Sequence, residues 1–330
     1  MQSYERLEKE WAQWNQLDPL GMVCCASGSA ALHLSLEALQ LPLGSGVITS
    51  DFNMIAIARS ISLAGLTPVF VDCDERLLID KWVIPLSLRI STKALIVVHI
   101  YGRKYEMEPC GFSPGSFYFI EDLAEAHGIK PNSTTDAACW SFYKNKIVCG
   151  EEGGAVWFRD NGHAELARSL RCLGFNSLGD FKHRPRGHNY RMSNCHAELI
   201  LQSLGNVGKN LVARQRIEDL YTIYCPESWR QPYRNVPWVY DLRIKGMSRI
   251  QQDTIIVALK SSGIEARHAF KPMSHQEEYR QSRCILSDPT IHNAYVASCE
   301  VIYLPIVPGV TSESQIKQSF QIIESFIKNP

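Results

Sequence analysis

The sequence predicts a layered α/β domain followed by a smaller α+β domain. Three observations carry this expectation. Short apolar, β-branched runs alternate with stretches of helical apolar spacing through the first half of the chain, the trace that βαβ units leave. From about Asn194 the pattern turns helical as far as Tyr224, and Pro226, Pro232 and Pro237 then punctuate a linker-like stretch. The chain's 330 residues suffice for one large domain and a smaller partner, with no internal repeat or low-complexity segment. The boundary is expected near residue 215, giving units 1–215 and 216–330.

Taken in order, the expected strands are Met22–Ala26, Val47–Thr49, Pro68–Asp72, Ala94–Ile100, Ser116–Ile120, Cys139–Tyr143 and Ala155–Phe158. Between them Ala30–Leu39 and Met54–Ala64 carry apolar residues at helical spacing, each followed by a glycine or proline that stops the helix. An N-terminal helix begins near Tyr4. Beyond the boundary, VPWVYDLRI alternates like a half-buried strand, Gln251–Ser261 reads as an amphipathic helix, VIYLPIV as a strand and Ser312–Lys328 as a last helix.

Charge and composition exclude several partners. Lys plus Arg and Asp plus Glu number 34 each, so no net charge favours nucleic acid or an anionic membrane. No apolar run approaches the roughly 20 residues of a spanning helix, and MQSYERLEKEW has acidic residues and no apolar signal core. The expectation is a cytosolic protein acting on a small polar metabolite. The 11 cysteines include no CxxC pair and read as reduced thiols. His183, His188 and His196 lack an HExxH pattern or a cysteine partner, so no metal is expected.

Five segments bear on chemistry. ASGSAALHLSLEAL (26–39) is a strand end, a small-residue turn and a helix start, where the N–H groups of Gly28, Ser29 and Ala30 favour an anion such as phosphate; it also reads as a plain helix cap. GFSPG (111–115) matches a serine hydrolase elbow as a string but precedes a strand where that motif needs a helix, so it is discarded. FYFIEDLAEAHG (117–128) sets Glu121, Asp122 and Glu125 directly after a strand, where an acid can hold a protonated ring nitrogen. SFYKNKIVCGEEGGAV offers Lys144 and Lys146. A lysine near other cations and away from water keeps a free amine that can attack a carbonyl. If Phe142–Asn145 continue extended, the two lysines share a face; if a turn intervenes, they separate, and spacing does not choose. HRPRGHNYRMSNCHAELILQSL (183–204) is a basic loop entering a helix capped by Ser193 or Asn194.

In this order and spacing the segments SGSAALHLSL, GLTPVFVDCDE, VVHIYG, IEDLAEAHG, SFYKNKIVCGEEGGAV, GHNYRM, GIEARHAFKPM and YLPIVPGVTSESQI resemble the DegT/StrS family of pyridoxal phosphate dependent sugar aminotransferases. The resemblance implies the fold type I architecture: a large α/β/α sandwich with a mixed, mostly parallel sheet and a smaller C-terminal α+β domain. It implies pyridoxal 5′-phosphate as cofactor, Lys146 as the lysine that joins it, Asp122 as partner of its ring nitrogen and Glu125 near its phenolic oxygen. Gly28, Ser29 and Ser141 resemble the phosphate ligands. Asn189 resembles a residue that reaches the phosphate from a second subunit, which implies a homodimer with shared sites. Glutamate or glutamine would donate the amine and a keto-sugar accept it, most closely as in the perosamine synthase branch, which aminates C4 of a nucleotide-linked 4-keto-6-deoxy sugar for polysaccharide or secondary-metabolite synthesis. Arg184, Arg186, Arg267 and Lys271 offer charge to its diphosphate.

Two departures from the family pattern stand out. Met54, or Phe52 on another alignment, takes the place of an aromatic ring that stacks on the cofactor. Relatives also carry a longer N-terminal stretch. Lys146 argues against the family's 3-dehydratases, which have histidine there; a keto-cyclitol aminotransferase and a non-catalytic regulatory protein are the alternatives.

Overall fold

Seven of the apolar runs line up in one sheet. The computed structural model describes residues 2–80, 92–106, 117–175, 181–280, 285–286 and 292–328; the GFSPG string and Ser116 lie outside them. Helix α1 (Ser3–Asn15) opens the chain, held by a capping box between Gln2 and Glu5. Strand β1 (Met22–Cys25), α2 (Gly28–Ala38), β2 (Gly46–Ser50), α3 (Ile55–Leu63) and β3 (Thr67–Val71) follow. Next come β4 (Thr92–Val98), β5 (Tyr118–Asp122), β6 (Ala137–Ser141), β7 (Gly154–Phe158) and α4 (Asn161–Arg171). Two consecutive helices, α5 (Asn194–Gly205) and α6 (Val207–Tyr224), lead out of this part. The remainder is β8 (Val239–Arg243), α7 (Arg249–Ser261), β9 (Arg267–His268), β10 (Ile285–Leu286), α8 (Asn293–Glu300), β11 (Val301–Pro305) and α9 (Glu313–Lys328).

The large sheet has eight strands in the order β1-β7-β6-β5-β4-β2-β3-β10. Strand β7 runs antiparallel to both its neighbours, and the other pairings are parallel. Strands β1, β2 and β7 are buried at every position, which is why they read as unbroken apolar runs rather than alternating ones. Helix α2 is buried on most of its surface, packed between the sheet and the neighbouring helices α3 and α4. The second sheet, β8-β11-β9, is antiparallel throughout. Its own apolar cluster joins Leu242, Ile302 and Leu304 to Ile217 and Tyr221 of α6, Ile255 and Leu259 of α7, and Phe320 of α9. A capping box between Ser248 and Gln251 starts α7. Residue 215, the boundary expected from the sequence, lies within α6, whose side chains reach both the first cluster, at Val207 and Leu211, and the second.

The two sheets meet where the chain leaves β4. Gly102 has φ +83°, and a Cβ there would stand 1.8 Å from the Val236 carbonyl oxygen. Only glycine allows this approach. It brings the segment before β8 against the end of β4, with the Val236 N–H donating to the Gly102 carbonyl at 3.1 Å.

Candidate active site

Turns at the carboxyl ends of β1, β2, β5 and β6 enclose a cavity of about 370 Å³ with residues of the second sheet and the segments leading to it. The carboxyl edge is where an open α/β sheet collects ligands, because strand ends and helix starts converge there.

The anion-favouring corner is the start of α2. Ser27 is the N-cap, its Oγ accepting from the Ala30 N–H at 3.1 Å. The N–H groups of Gly28 and Ser29 have no intrahelical acceptor and sit at the positive end of the helix dipole. A Cβ on Gly28 would lie 2.7 Å from Ser141 Cβ, so glycine lets the helix start press against the end of β6. Gly28, Ser29 and Ser141 thereby line one corner of the cavity.

The same cavity holds a group of ionisable side chains. Asp122 is the last residue of β5 and is 7% exposed. Its Oδ1 accepts from the Ala124 N–H at 2.9 Å. Burial raises its pKa, opposed by that N–H and by the charges of Lys146 and His99. Glu125 accepts from the Tyr101 N–H at 2.8 Å, and burial lifts its carboxyl to about 7 against the pull of Lys146. Behind them His127 accepts from the Val148 N–H at Nδ1 (3.1 Å), and burial, then the Lys146 charge, pushes its pKa down to about 3.

Strand β6 ends at Ser141, so the stretch with the two lysines is a turn, closed by the Lys146 N–H donating to the Tyr143 carbonyl at 2.8 Å. The turn separates them. Lys144 is exposed, while Lys146 reaches into the cavity. Burial lowers the Lys146 pKa, with Glu125 and Asp122 opposing. The amine is disfavoured as an ammonium by lost water rather than by a neighbouring cation.

The opposing shifts of Glu125 and His127 give a testable pH dependence. Between pH of about 4.5 and about 6.5 folded Glu125 holds a proton that the unfolded chain releases, so its contribution to stability is present at the acid end and lost as pH rises through about 7. His127 acts the other way, since the unfolded chain binds its proton below about 6.5 and the folded one does not. The two slopes offset each other in the parent. Glu125→Gln is therefore expected to make stability fall, relative to the parent, by about 1 kcal/mol for each unit of acidification across that window. Urea unfolding of the cofactor-free proteins at several pH values measures it; parallel curves would contradict the assignment.

Of the residues expected from the sequence, Gly28, Ser29, Met54, Asp122, Glu125, Ser141 and Lys146 line this cavity together. Met54 precedes α3 and is half exposed, whereas Phe52 is buried behind the wall against Tyr101 and Phe270. Asn189 lies elsewhere, in a notch of about 520 Å³ lined also by Tyr4 and Arg171. Of the four basic residues only Arg267 reaches the cavity. Arg184 and Arg186 line a different one, where Arg186 pairs with Glu37 at 3.6 Å, and Lys271 is exposed. His188 hydrogen-bonds Glu37 at 2.6 Å and so fixes the basic loop to α2. Asn53, Trp238, Phe270 and Tyr303 also line the cavity and were not singled out from the sequence. The aromatic, partly alternating pattern around Trp238, Phe270 and Tyr303 reads as core, and only the meeting of the two sheets brings these three here.

Residues 2–321 match the profile of the DegT/DnrJ/EryC1/StrS aminotransferase family. Among curated proteins, a GDP-perosamine synthase of Caulobacter vibrioides is 32% identical over 305 residues, covering 88% of this chain and 81% of the relative. A pleiotropic regulatory protein of Geobacillus stearothermophilus is 32% identical over 310 residues, with 88% and 81% covered. The crystal structure of a DegT DnrJ EryC1 StrS aminotransferase from Brucella abortus superposes with a TM-score of 0.86 at 21% identity, covering 98% of this chain and 90% of that one.

Proposed function

The chain belongs to the DegT/DnrJ/EryC1/StrS aminotransferase family, and on that premise we propose that it moves the amino group of L-glutamate to a nucleotide-linked 4-keto-6-deoxyhexose in the synthesis of an amino sugar. That it is a pyridoxal phosphate dependent sugar aminotransferase follows from the family and its curated members. The observation that carries the reading is the convergence of Lys146, Asp122 and the start of α2 on one cavity.

The residues present fit that cofactor. The Gly28–Ser141 approach leaves the helix start open to a phosphate, Lys146 supplies an amine, and Asp122 a buried carboxylate in the same cavity. When bound, the cofactor supplies an electron sink for the donor's α-carbon. The Asp122 carboxylate would hold the ring nitrogen in its protonated form through charge. Lys146 Nζ, as a free amine, would remove the donor's α-proton and return a proton to the acceptor carbon. Glu125, its carboxyl lifted by burial to about 7, would offer a hydrogen-bond partner to the phenolic oxygen. Met54, which lines the cavity, would offer its polarizable sulfur to the ring. Residues 1–215 form the cofactor-binding unit of this reading and 216–330 the smaller unit that closes the acceptor side.

Asn189 lies outside the cavity of its own chain. This supports a homodimer in which each Asn189 serves the partner's phosphate corner. Arg267 meets the acceptor's diphosphate, and polysaccharide synthesis in the cytosol is the setting kept from the sequence reading.

A panel of nucleotide-linked and free keto-sugars, offered with L-glutamate, tests the proposal by mass spectrometry of the products. Amination of a nucleotide-linked 4-keto-6-deoxyhexose is expected. Amination of a free keto-cyclitol alone would overturn the acceptor, and transfer to no ketone would overturn the enzymatic reading.

A further inference from the structure

Among the described residues, the ring that lies under Lys146 Nζ comes from the second unit. Lys146 Nζ lies 4.1 Å from the centroid of the Trp238 ring, within the range in which an ammonium is drawn to an indole face. The ring is held on several sides. Its Nε1–H donates to the Asn145 carbonyl at 2.9 Å, in the turn that carries Lys146. The Trp238 N–H donates to Val236 at 3.0 Å, and its carbonyl accepts from Arg214 at 3.1 Å. Tyr101 stacks against it at 6.3 Å, and Trp238 is 5% exposed. An indole with so few free rotations is a fixed plate, not a side chain that happens to pass nearby.

We propose that Trp238 is a positioning residue for Lys146, its indole face holding the protonated amine over the cavity in the cofactor-free protein and steadying the free amine as it carries a proton between donor and acceptor carbons. The proposal rests on the reading of Lys146 as the reacting amine. It adds that the second unit, together with the carboxylates of the large sheet, sets how readily that amine keeps its proton. The carboxylates of Asp122 and Glu125 favour the ammonium by charge, and His127 also feels the Lys146 charge. Tyr143, Glu152, Arg267 and Tyr303 line the same cavity and complete its ionisable groups among the described residues. Trp238 differs from all of them in stabilising the ammonium without a proton or a charge of its own.

The test is competitive acylation of the cofactor-free, full-length protein with acetic anhydride across pH, Lys146 being distinguished from Lys144 by fragment-ion mass spectrometry. An indole face worth about 0.5 to 2 kcal/mol corresponds to a shift of roughly 0.4 to 1.5 pH units. Trp238→Leu is therefore expected to lower the labelling midpoint of Lys146 by about one unit, a tenfold gain in free amine at a fixed pH below it. Trp238→Phe, which keeps a ring face and loses the N–H, should retain much of the parent value. Protein grown with fluorinated tryptophan keeps the shape and weakens the face, so its midpoint should move in the direction of the leucine variant even if that variant fails to fold. Equal shifts in the leucine and phenylalanine variants would assign the effect to the Asn145 hydrogen bond and overturn the proposal, as would no shift in fluorinated protein. Borohydride trapping of pyridoxal phosphate on the same samples is read separately. Trapping on a lysine other than Lys146 sinks the proposed function of that lysine, while the acylation result still decides whether Trp238 controls its proton.

Discussion

Lys146→Ala is expected to lower amino transfer by about 10³- to 10⁴-fold, whereas Lys144→Ala should leave it within about twofold. The difference follows from where the turn after β6 sends the two side chains. Lys144 stands in solvent with its Nζ 5.9 Å from the Tyr143 ring, and removing it takes nothing from the cavity. Lys146 is the one lysine among the cavity-lining residues. Its alanine variant has no amine to move the α-proton, and water must substitute, less basic and less well placed. Binding should survive better than turnover, because the helix start at Gly28 and Ser29 and the carboxylate of Asp122 remain. The measurement is the rate of amine appearance on the acceptor, together with retention of pyridoxal phosphate after gel filtration. Loss of activity in Lys144→Ala with full activity in Lys146→Ala would reverse the roles and with them the site.

Much of this arrangement is legible in the chain, and the reasons for what is not are physical. The strands of the large sheet announce themselves because most are buried on both faces and so are continuous in β-branched and apolar residues. Strand β10 is Ile285–Leu286 alone, too short to leave a period. The helical stretch from Asn194 to Tyr224 is two helices, since the chain breaks at Asn206 between Gly205 and Val207; apolar spacing continues across such a break and hides it. Asp122 belongs to β5 rather than following it, because that strand runs from Tyr118 to Asp122, two residues later than its apolar run suggests. The choice between the lysines is conformational: two residues two apart share a face in a strand and part in a turn, and only the hydrogen bond from Lys146 to Tyr143 decides which holds. Trp238 is the clearest loss. Alternation marks it as a buried strand flank, and nothing local says that the neighbouring surface is the turn at Asn145.

Asp241→Asn is expected to cost about 3 to 5 kcal/mol of stability. Asp241 is fully buried. Its Oδ1 accepts from Arg103 at 2.9 Å and from Arg234 Nε at 2.8 Å, and Arg234 also bonds the Asp241 carbonyl. Arg234 in turn pairs with Glu218 at 2.9 Å and lies over the Tyr240 ring at 4.5 Å. Two guanidinium groups thus share two carboxylates out of water. Burial alone would raise the Asp241 pKa, and Arg103 and Arg234 hold it below the usual carboxylate value instead. The amide keeps the shape and an acceptor but removes one of the two negative charges, leaving Arg103 and Arg234 to repel each other where solvent does not screen them. If that mechanism is right, the cost depends on Arg103. In an Arg103→Met background the same substitution should cost about 1 to 3 kcal/mol less, a coupling that urea unfolding of the four proteins measures as a double-mutant cycle. Additive losses would show that Asp241 acts through packing alone. The position of the cluster gives the prediction a second readout. Arg103 follows β4 of the large sheet, Asp241 lies in β8 of the small one, and Trp238 stands three residues before it. Loosening this joint should free the indole from Lys146 and shift the acylation midpoint of that lysine downward, linking a charge buried between the sheets to the proton on the amine.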